Sequence, residues 1–374
     1  MSRILVVNGI GDTLLSFRGP LIRDLVQRGH QVVVSTPAPE WADTTALRAA
    51  VESLGAELVY SPLARTSLNP FRERRAIAHW RELIQDRRPD AVLASNPKPV
   101  FHLPRLARDA NVPRRVSMIT GLGYAFIDES MKARLLRRVA CRLYRSALLA
   151  STAILFQNDD DREEFRQRGL LPEGVPVETI GGSGVDLHAF PERPVPTAPP
   201  CFLMVSRLLG DKGVREFAAA ARIVRATRKD CRFRLVGWID GNPAAIRREE
   251  LDSWVRDGDL EWAGRLDDVR SELAGATAFV LPSYREGTPR STLEALATGR
   301  AVITTDVPGC RATVVDGENG LLIAPRDANA LARACLWLAE HPERLVSMGR
   351  ASRALAERRF DVKRVNETVI RLLE

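Results

Sequence analysis

Apolar residues in this chain come in short runs, each followed by a stretch whose apolar positions recur at helical spacing. Residues 4–7 read as a strand and Asn8-Gly-Ile-Gly-Asp-Thr as a turn. Leu14, Leu15, Phe17, Leu21, Ile22 and Leu25 then form the inner face of a helix that stops at Gly29. Further strands are expected at 56–60, 91–95, 116–119 and 153–157. The alternation restarts at 201–206 and runs through 233–236, 260–262, 278–281 and 301–304. Strands joined through helices become parallel neighbours by right-handed crossovers, so the pattern predicts an α/β chain of two doubly wound, Rossmann-like halves. The expected division is 1–185 and 201–354, with the glycine- and proline-rich segment up to residue 200 (186–200 proper) as a hinge-like linker.

The most informative stretch is 278–300. Ala278 to Leu281 reads as a buried strand and Ala301 to Thr304 as the next one. Between them Thr288 is the expected N-cap, Pro289 the first helical position and Gly299 the left-handed stop. Glu286 and Glu294 frame that helix start, with seven residues between them. The free N–H groups of a first helical turn make a phosphate site, here beside the hydroxyls of Thr288, Ser291 and Thr292. Flanking carboxylates suit the hydroxyls of a sugar and a ribose, so the stretch fits a nucleotide-sugar. The plainer reading makes Glu286 a solvated loop residue and pairs Glu294 with Arg290 at i, i+4.

Glu286-Gly-Thr-Pro-Arg-Ser-Thr-Leu-Glu294 resembles the E-x7-E signature of retaining glycosyltransferases of the GT-B fold, family 4. Val205-Ser-Arg-Leu-Leu-Gly-Asp-Lys-Gly is similar to that family's phosphate-binding Arg/Lys pair, and Gly264-Arg-Leu-Asp-Asp to its base-binding turn. The resemblance implies two Rossmann-like domains facing across a cleft, the first binding the acceptor and joined by a final helix at about 355–374. It implies catalytic roles for Glu286, Arg207 and Lys212. Donor binding would fall to Gly11, Arg265, Leu266, Gly287, Thr288, Pro289, Ser291, Thr292 and Glu294. Gly9-x-Gly11 lacks a third glycine and by itself reads first as a tight strand–helix turn.

Composition adds a charge asymmetry. Residues 1–150 hold 23 Lys and Arg against 13 Asp and Glu, whereas the remainder holds 32 against 34. The whole positive excess therefore lies in the first domain, where it suits an anionic surface or substrate. No helix-turn-helix, zinc finger or aromatic RNA platform accompanies it, so nucleic acid is not an expected partner. No apolar run is long enough to span a bilayer, and the chain opens on a strand rather than a leader. Five scattered cysteines without C-x2-C spacing read as reduced thiols, and the expected compartment is the cytosol. Asp159-Asp160-Asp161 and Asp257-Gly-Asp259 read as a helix start and a surface turn, and no metal or cofactor is expected.

Three stretches of the first domain bear on an acceptor. Lys98 follows a strand and is a candidate phosphate partner, though a solvated lysine is the plainer reading; His102 is expected to pack at a helix start. Thr120, Gly121 and Gly123 resemble the loop of a family 4 subgroup that adds sugars to polyprenyl-diphosphate-linked carriers. That subgroup implies a UDP-sugar donor, a lipid-linked glycan acceptor, and a place on the inner face of the cytoplasmic membrane. In 131–149, Met131, Leu135, Val139, Leu143 and Ala147 recur every four residues with no acid in the span. This stripe is expected to face the core, leaving Arg134, Arg137 and Arg138 able to meet anionic lipid. Two rivals remain: a nucleotide-sugar epimerase of the same fold, and a non-catalytic nucleotide-sugar-binding scaffold on the membrane.

Overall fold

The computed structural model describes all of the chain except residues 65, 66, 68, 123–125, 127–129, 197, 198 and 243; Gly123 therefore lies outside the described residues. The chain divides into two compact units, Met1–Ser183 with Lys363–Glu374, and Gly184–Val362.

The first unit is built on seven strands: β1 Arg3–Asn8, β2 Gln31–Pro37, β3 Glu57–Ser61, β4 Ala91–Ser95, β5 Arg114–Ile119, β6 Ala153–Phe156 and β7 Val177–Thr179. They lie in the order β3-β2-β1-β4-β5-β6-β7, and every pair is parallel. The second unit has six: β8 Cys201–Val205, β9 Arg232–Val236, β10 Glu261–Trp262, β11 Ala278–Leu281, β12 Ala301–Thr305 and β13 Gly320–Ile323. Their order is β10-β9-β8-β11-β12-β13, again all parallel. Parallel strands covered by helices on both faces must be apolar throughout, and β4, β6, β11 and β12 are buried at every position. Chain order reverses between β1 and β4 in one sheet and between β8 and β11 in the other, the two places where such sheets open a crevice at their carboxyl edge.

The proline-rich segment read as a linker is part of the second unit. Leu187, Phe190 and Val195 pack on its core. Fully buried Arg300 donates to the carbonyls of Arg193 at 2.7 Å and Pro194 at 2.9 Å, and Arg353 reaches the Phe190 carbonyl at 3.0 Å. Prolines leave carbonyls without a neighbouring N–H donor, and these arginines supply what the segment lacks. Burial lowers the Arg300 guanidinium to about 10. Residues 355–361, expected with the final helix, also stay in the second unit. Only the helix Val362–Leu373, through Val365, Val369, Ile370 and Leu373, packs into the core of the first.

The helix Met131–Leu148 corrects the expected stripe. Met131, Leu135 and Val139 are exposed to 80%, 62% and 46%, and the core takes Ala133, Tyr144, Ala147 and Leu148. Four residues turn a helix about 40° beyond one full revolution, so a strict four-residue row winds around it. This row starts in solvent at Met131 and reaches the core only at Ala147.

Gly184 stands at φ +69°, and a Cβ there would lie 2.5 Å from the Val362 Cα. Gly184→Ala should cost on the order of 1–3 kcal/mol for the left-handed backbone alone. A fall of several degrees in the thermal midpoint, followed by circular dichroism, is the expected result.

Candidate active site

The carboxyl edge of the second sheet is assembled by close backbone packing. After β8, the chain makes a short 3-10 turn at Gly210–Lys212, and Gly213 enters the helix Val214–Thr227 at φ +74°. A Cβ on Gly213 would lie 2.2 Å from the Pro282 carbonyl oxygen, and one on Gly309 would lie 2.2 Å from that of Glu286. Glycine is therefore obligatory at both. The Tyr284 N–H donates to the Asp211 carbonyl at 2.8 Å and the Glu286 N–H to that of Pro308 at 3.1 Å. Loops following β8, β11 and β12 are thereby locked together.

This locking brings Lys212 and Glu286 into contact. The Lys212 Nζ lies 2.5 Å from Glu286 Oε1, both side chains being about 15% exposed, and the Ser283 hydroxyl donates to the same oxygen at 2.8 Å. Glu286 is thus no solvated loop residue. The nearby Cys310 thiol is pushed up to about 12, by burial first and then by the Glu286 charge, which keeps it an inert neutral group. Arg207 has a buried partner of its own, Asp240, at 3.2 Å. Glu294 does pair with Arg290 one turn away, at 2.8 Å. Burial still raises the Glu294 carboxyl above its ordinary range, against the pull of Arg290.

The helix itself begins one residue later than expected. Arg290–Ala297 is helical and Pro289 is its N-cap, at φ −72° and ψ 114°. The fixed φ of proline suits this extended cap position, and the Thr288 hydroxyl turns back to the Gly287 carbonyl at 3.0 Å. Thr292 is fully buried, and its hydroxyl finds no partner among the described residues. Past the ends of β9 and β10, Gly237 donates to the Gly264 carbonyl at 2.8 Å, and the Arg265 guanidinium lies 5.2 Å from the Trp238 ring centre. Leu266 is half-buried on the core. Asp240 and Ser283 escaped the sequence reading. Asp240 had a signal, an acid in Gly237-Trp-Ile-Asp-Gly241 just past a strand, whereas Ser283 looked like any loop serine.

In the first unit, a Cβ on Gly11 would lie 2.3 Å from the Pro37 carbonyl, so close packing alone requires this glycine. Gly9 to Asp12, Pro37, Ala38, Glu40 and residues 61–64 line a cavity of about 330 Å³ at the carboxyl edge. The buried Ser61 hydroxyl in that lining has no partner among the described residues. Lys98 is neither solvated nor available to a phosphate. Its ammonium donates to the carbonyls of Ala64 and Ser67, both at 2.7 Å, and to Glu73 at 2.9 Å, while His102 lies 2.9 Å from the other Glu73 oxygen. The Thr120 hydroxyl accepts from Asn96 at 3.0 Å, and Gly121 sits at φ +124°. On the helix Met131–Leu148, Arg134, Arg137 and Arg138 line a basic groove with Arg142, Arg145 and Arg168.

Two parallel Rossmann-like sheets, with the cation–carboxylate pair and a helix start at the second sheet's reversal, define a GT-B protein. The family described as glycosyl transferases group 1 matches residues 199–341, and the glycosyl transferase 4-like domain matches 18–181. An N,N'-diacetylbacillosaminyl-diphospho-undecaprenol alpha-1,3-N-acetylgalactosaminyltransferase of Campylobacter jejuni is 30% identical over 351 residues, 90% of this chain and 89% of that protein. The putative colanic acid biosynthesis glycosyltransferase WcaL of Escherichia coli is 28% identical over 55% of this chain and 53% of its own length. Sucrose-phosphate synthase from Thermosynechococcus elongatus shares the fold at TM-score 0.80 and 17% identity, covering 100% of this chain and 98% of that one. Anabaena HepE in complex with UDP does so at 0.78 and 17%, with 100% and 99% covered. The chain belongs to the group 1, family 4 glycosyltransferases and is a glycosyltransferase.

The Glu73 carboxyl is lowered overall: burial opposes this, and the hydrogen bonds from His102 and Lys98 outweigh it. A depressed carboxyl contributes stability that is present above its unfolded value and lost as pH falls through the folded one. Glu73→Gln should cost on the order of 1–3 kcal/mol at pH 7 by leaving the half-buried Lys98 ammonium without its counter-charge. Urea unfolding should show the gap to wild type narrowing as pH falls below the ordinary carboxylate value of about 4.

Proposed function

We propose that the protein transfers a hexose or N-acetylhexosamine, with retained anomeric configuration, from a UDP-sugar to a polyprenyl-diphosphate-linked glycan during assembly of a cell-surface polysaccharide. The Lys212–Glu286 pair beside the helix start at Arg290 is the observation that carries this reading. Departure of the nucleoside diphosphate leaves negative charge on its outer phosphate. Arg207, Lys212 and the N–H group of Ser291 supply positive potential for it. Glu286 accepts from hydroxyls of the donor sugar and Glu294 from the ribose, while backbone at Arg265 and Leu266 meets the base. Two cations and a helix tip are charge enough for this departure without a metal, and the acceptor proton passes to the leaving phosphate. Because Lys212 and Glu286 share a bond, the group that stabilises the leaving charge also orients the one that holds the sugar.

The acceptor is assigned to the first unit, where the cavity beside Ser61 has room for a sugar ring. The relative from Campylobacter is named for a diphospho-undecaprenol acceptor, and that name supports a lipid-linked glycan here. The helix Met131–Leu148 supports a place on the membrane. Met131, Leu135, Val139 and Leu149 are exposed, Arg134, Arg138 and Arg142 flank them, and no acid occurs in the span. Apolar side chains beside a strip of arginines fit the headgroup boundary of an anionic bilayer. The proposed location is the cytoplasmic face, with the enzyme as a peripheral protein.

Transfer is measured with UDP-N-acetylhexosamines and a polyprenyl-diphosphate monosaccharide, reading both UDP release and product. Lys212→Ala and Glu286→Ala should each lower turnover by about 10²–10³. Wild-type rates in either variant would overturn the assignment. Sedimentation with vesicles should show binding to anionic phospholipid and little to phosphatidylcholine. Changing Met131, Leu135 and Val139 together to Ser should weaken it; no binding to anionic vesicles would refute the membrane reading, and equal binding to both types would refute the role of the arginines.

A further inference from the structure

Asn96 has a backbone conformation that asparagine rarely adopts. It follows β4, precedes Pro97 and caps the helix Pro97–Asp109, at φ 75° and ψ 159°. Only glycine enters that region without strain, and the residue before a proline ordinarily takes an extended conformation with negative φ. A glycine would make the same turn more easily, so the carboxamide must supply something that glycine cannot. Its Oδ1 accepts from the Gly9 N–H at 2.9 Å, and its Nδ2 donates to the Thr120 hydroxyl at 3.0 Å. A Cβ on Gly9 would lie 3.0 Å from that of Asn96, so the loop after β1 is held against this residue at close range. Asn96 stands where strand order reverses, between β1 and β4, and also reaches the loop after β5. The loop on one side lines the first unit's cavity; the loop on the other carries Thr120 and Gly121.

We infer that Asn96 is a positioning residue that fixes the spacing of the Gly9–Asp12 and Thr120–Leu122 loops, and thereby the shape of the acceptor-binding edge. Strain is retained at this position because one side chain there can bond both loops. A residue that acts this way changes acceptor recognition and leaves the second unit's hold on the donor alone.

The inference rests on the transfer reading, and the test separates the two. Asn96→Gly, Asn96→Ala and Thr120→Val are compared with wild type for acceptor KM, donor KM, thermal midpoint and amide hydrogen exchange of the two loops. Asn96→Gly should raise acceptor KM tenfold or more and raise donor KM, to which Gly11 on the Gly9–Asp12 loop is expected to contribute, by threefold at most. It should unfold at a higher temperature than Asn96→Ala, because both lose the bonds and only glycine relieves the strain. Exchange at residues 9–12 and 120–122 should quicken in both variants. Thr120→Val, which removes one bond without touching the strained residue, should shift acceptor KM the same way by less. An unchanged acceptor KM in Asn96→Gly, or donor KM rising as far as acceptor KM while the midpoint falls, would overturn the proposal. A wild type that transfers nothing to the acceptor would sink the transfer reading instead; the exchange rates and the Gly-over-Ala order would still decide whether Asn96 sets the loops.

Discussion

The second unit's carboxyl edge is organised around one ion pair that sequence separation makes expensive to assemble. Lys212 and Glu286 are 74 positions apart, and both are mostly withdrawn from water. Two charges taken out of solvent repay their desolvation only when geometry is good and the remaining lone pairs are satisfied, and removing one partner strands the other at a cost of roughly 3–5 kcal/mol. Here the geometry is enforced. Gly213 pressed against Pro282 and Gly309 pressed against Glu286 leave the loops no freedom to separate. Ser283 then satisfies the shared oxygen. A pair held this way presents a cation and an anion at fixed separation, which suits a ligand carrying a phosphate beside a sugar.

The sequence displayed this architecture because the relevant signals were local. Buried parallel strands are apolar throughout, positive-φ stops at Gly29 and Gly299 are glycines, and the spacing of Glu286 and Glu294 is a property of one strand–helix turn. What it concealed was pairing at a distance. Nothing near Lys98 in sequence announces that Ala64, Ser67 and Glu73 will take all three of its protons. Asp240 is 33 positions from Arg207, and Arg300 is over a hundred from the linker carbonyls it binds. The helix Met131–Leu148 was misread for another reason. Its four-residue apolar row winds around the helix, and only the tertiary fold decides which part of that row the core receives.

The two carboxyl edges are stiffened by different means. In the second unit backbone lies on backbone: a Cβ at Gly237 would meet the Ser206 carbonyl at 1.9 Å, and Gly213 and Gly309 are as confined. No side chain can be introduced at such a contact without moving a strand end, so the edge is locked into one shape. The first unit shares this at Gly11 but relies more on side chains reaching across. Asp12 accepts the N–H groups of Glu40 at 2.9 Å and Trp41 at 3.0 Å, Lys98 binds the carbonyls of Ala64 and Ser67, and Asn96 ties the loops after β1 and β5. A loop held by a side chain can be re-set by one substitution without a steric clash. The first edge is therefore the adjustable one and the second the fixed one. That is the division a sugar transferase needs when a common leaving group must be met by an acceptor that differs from one enzyme to the next.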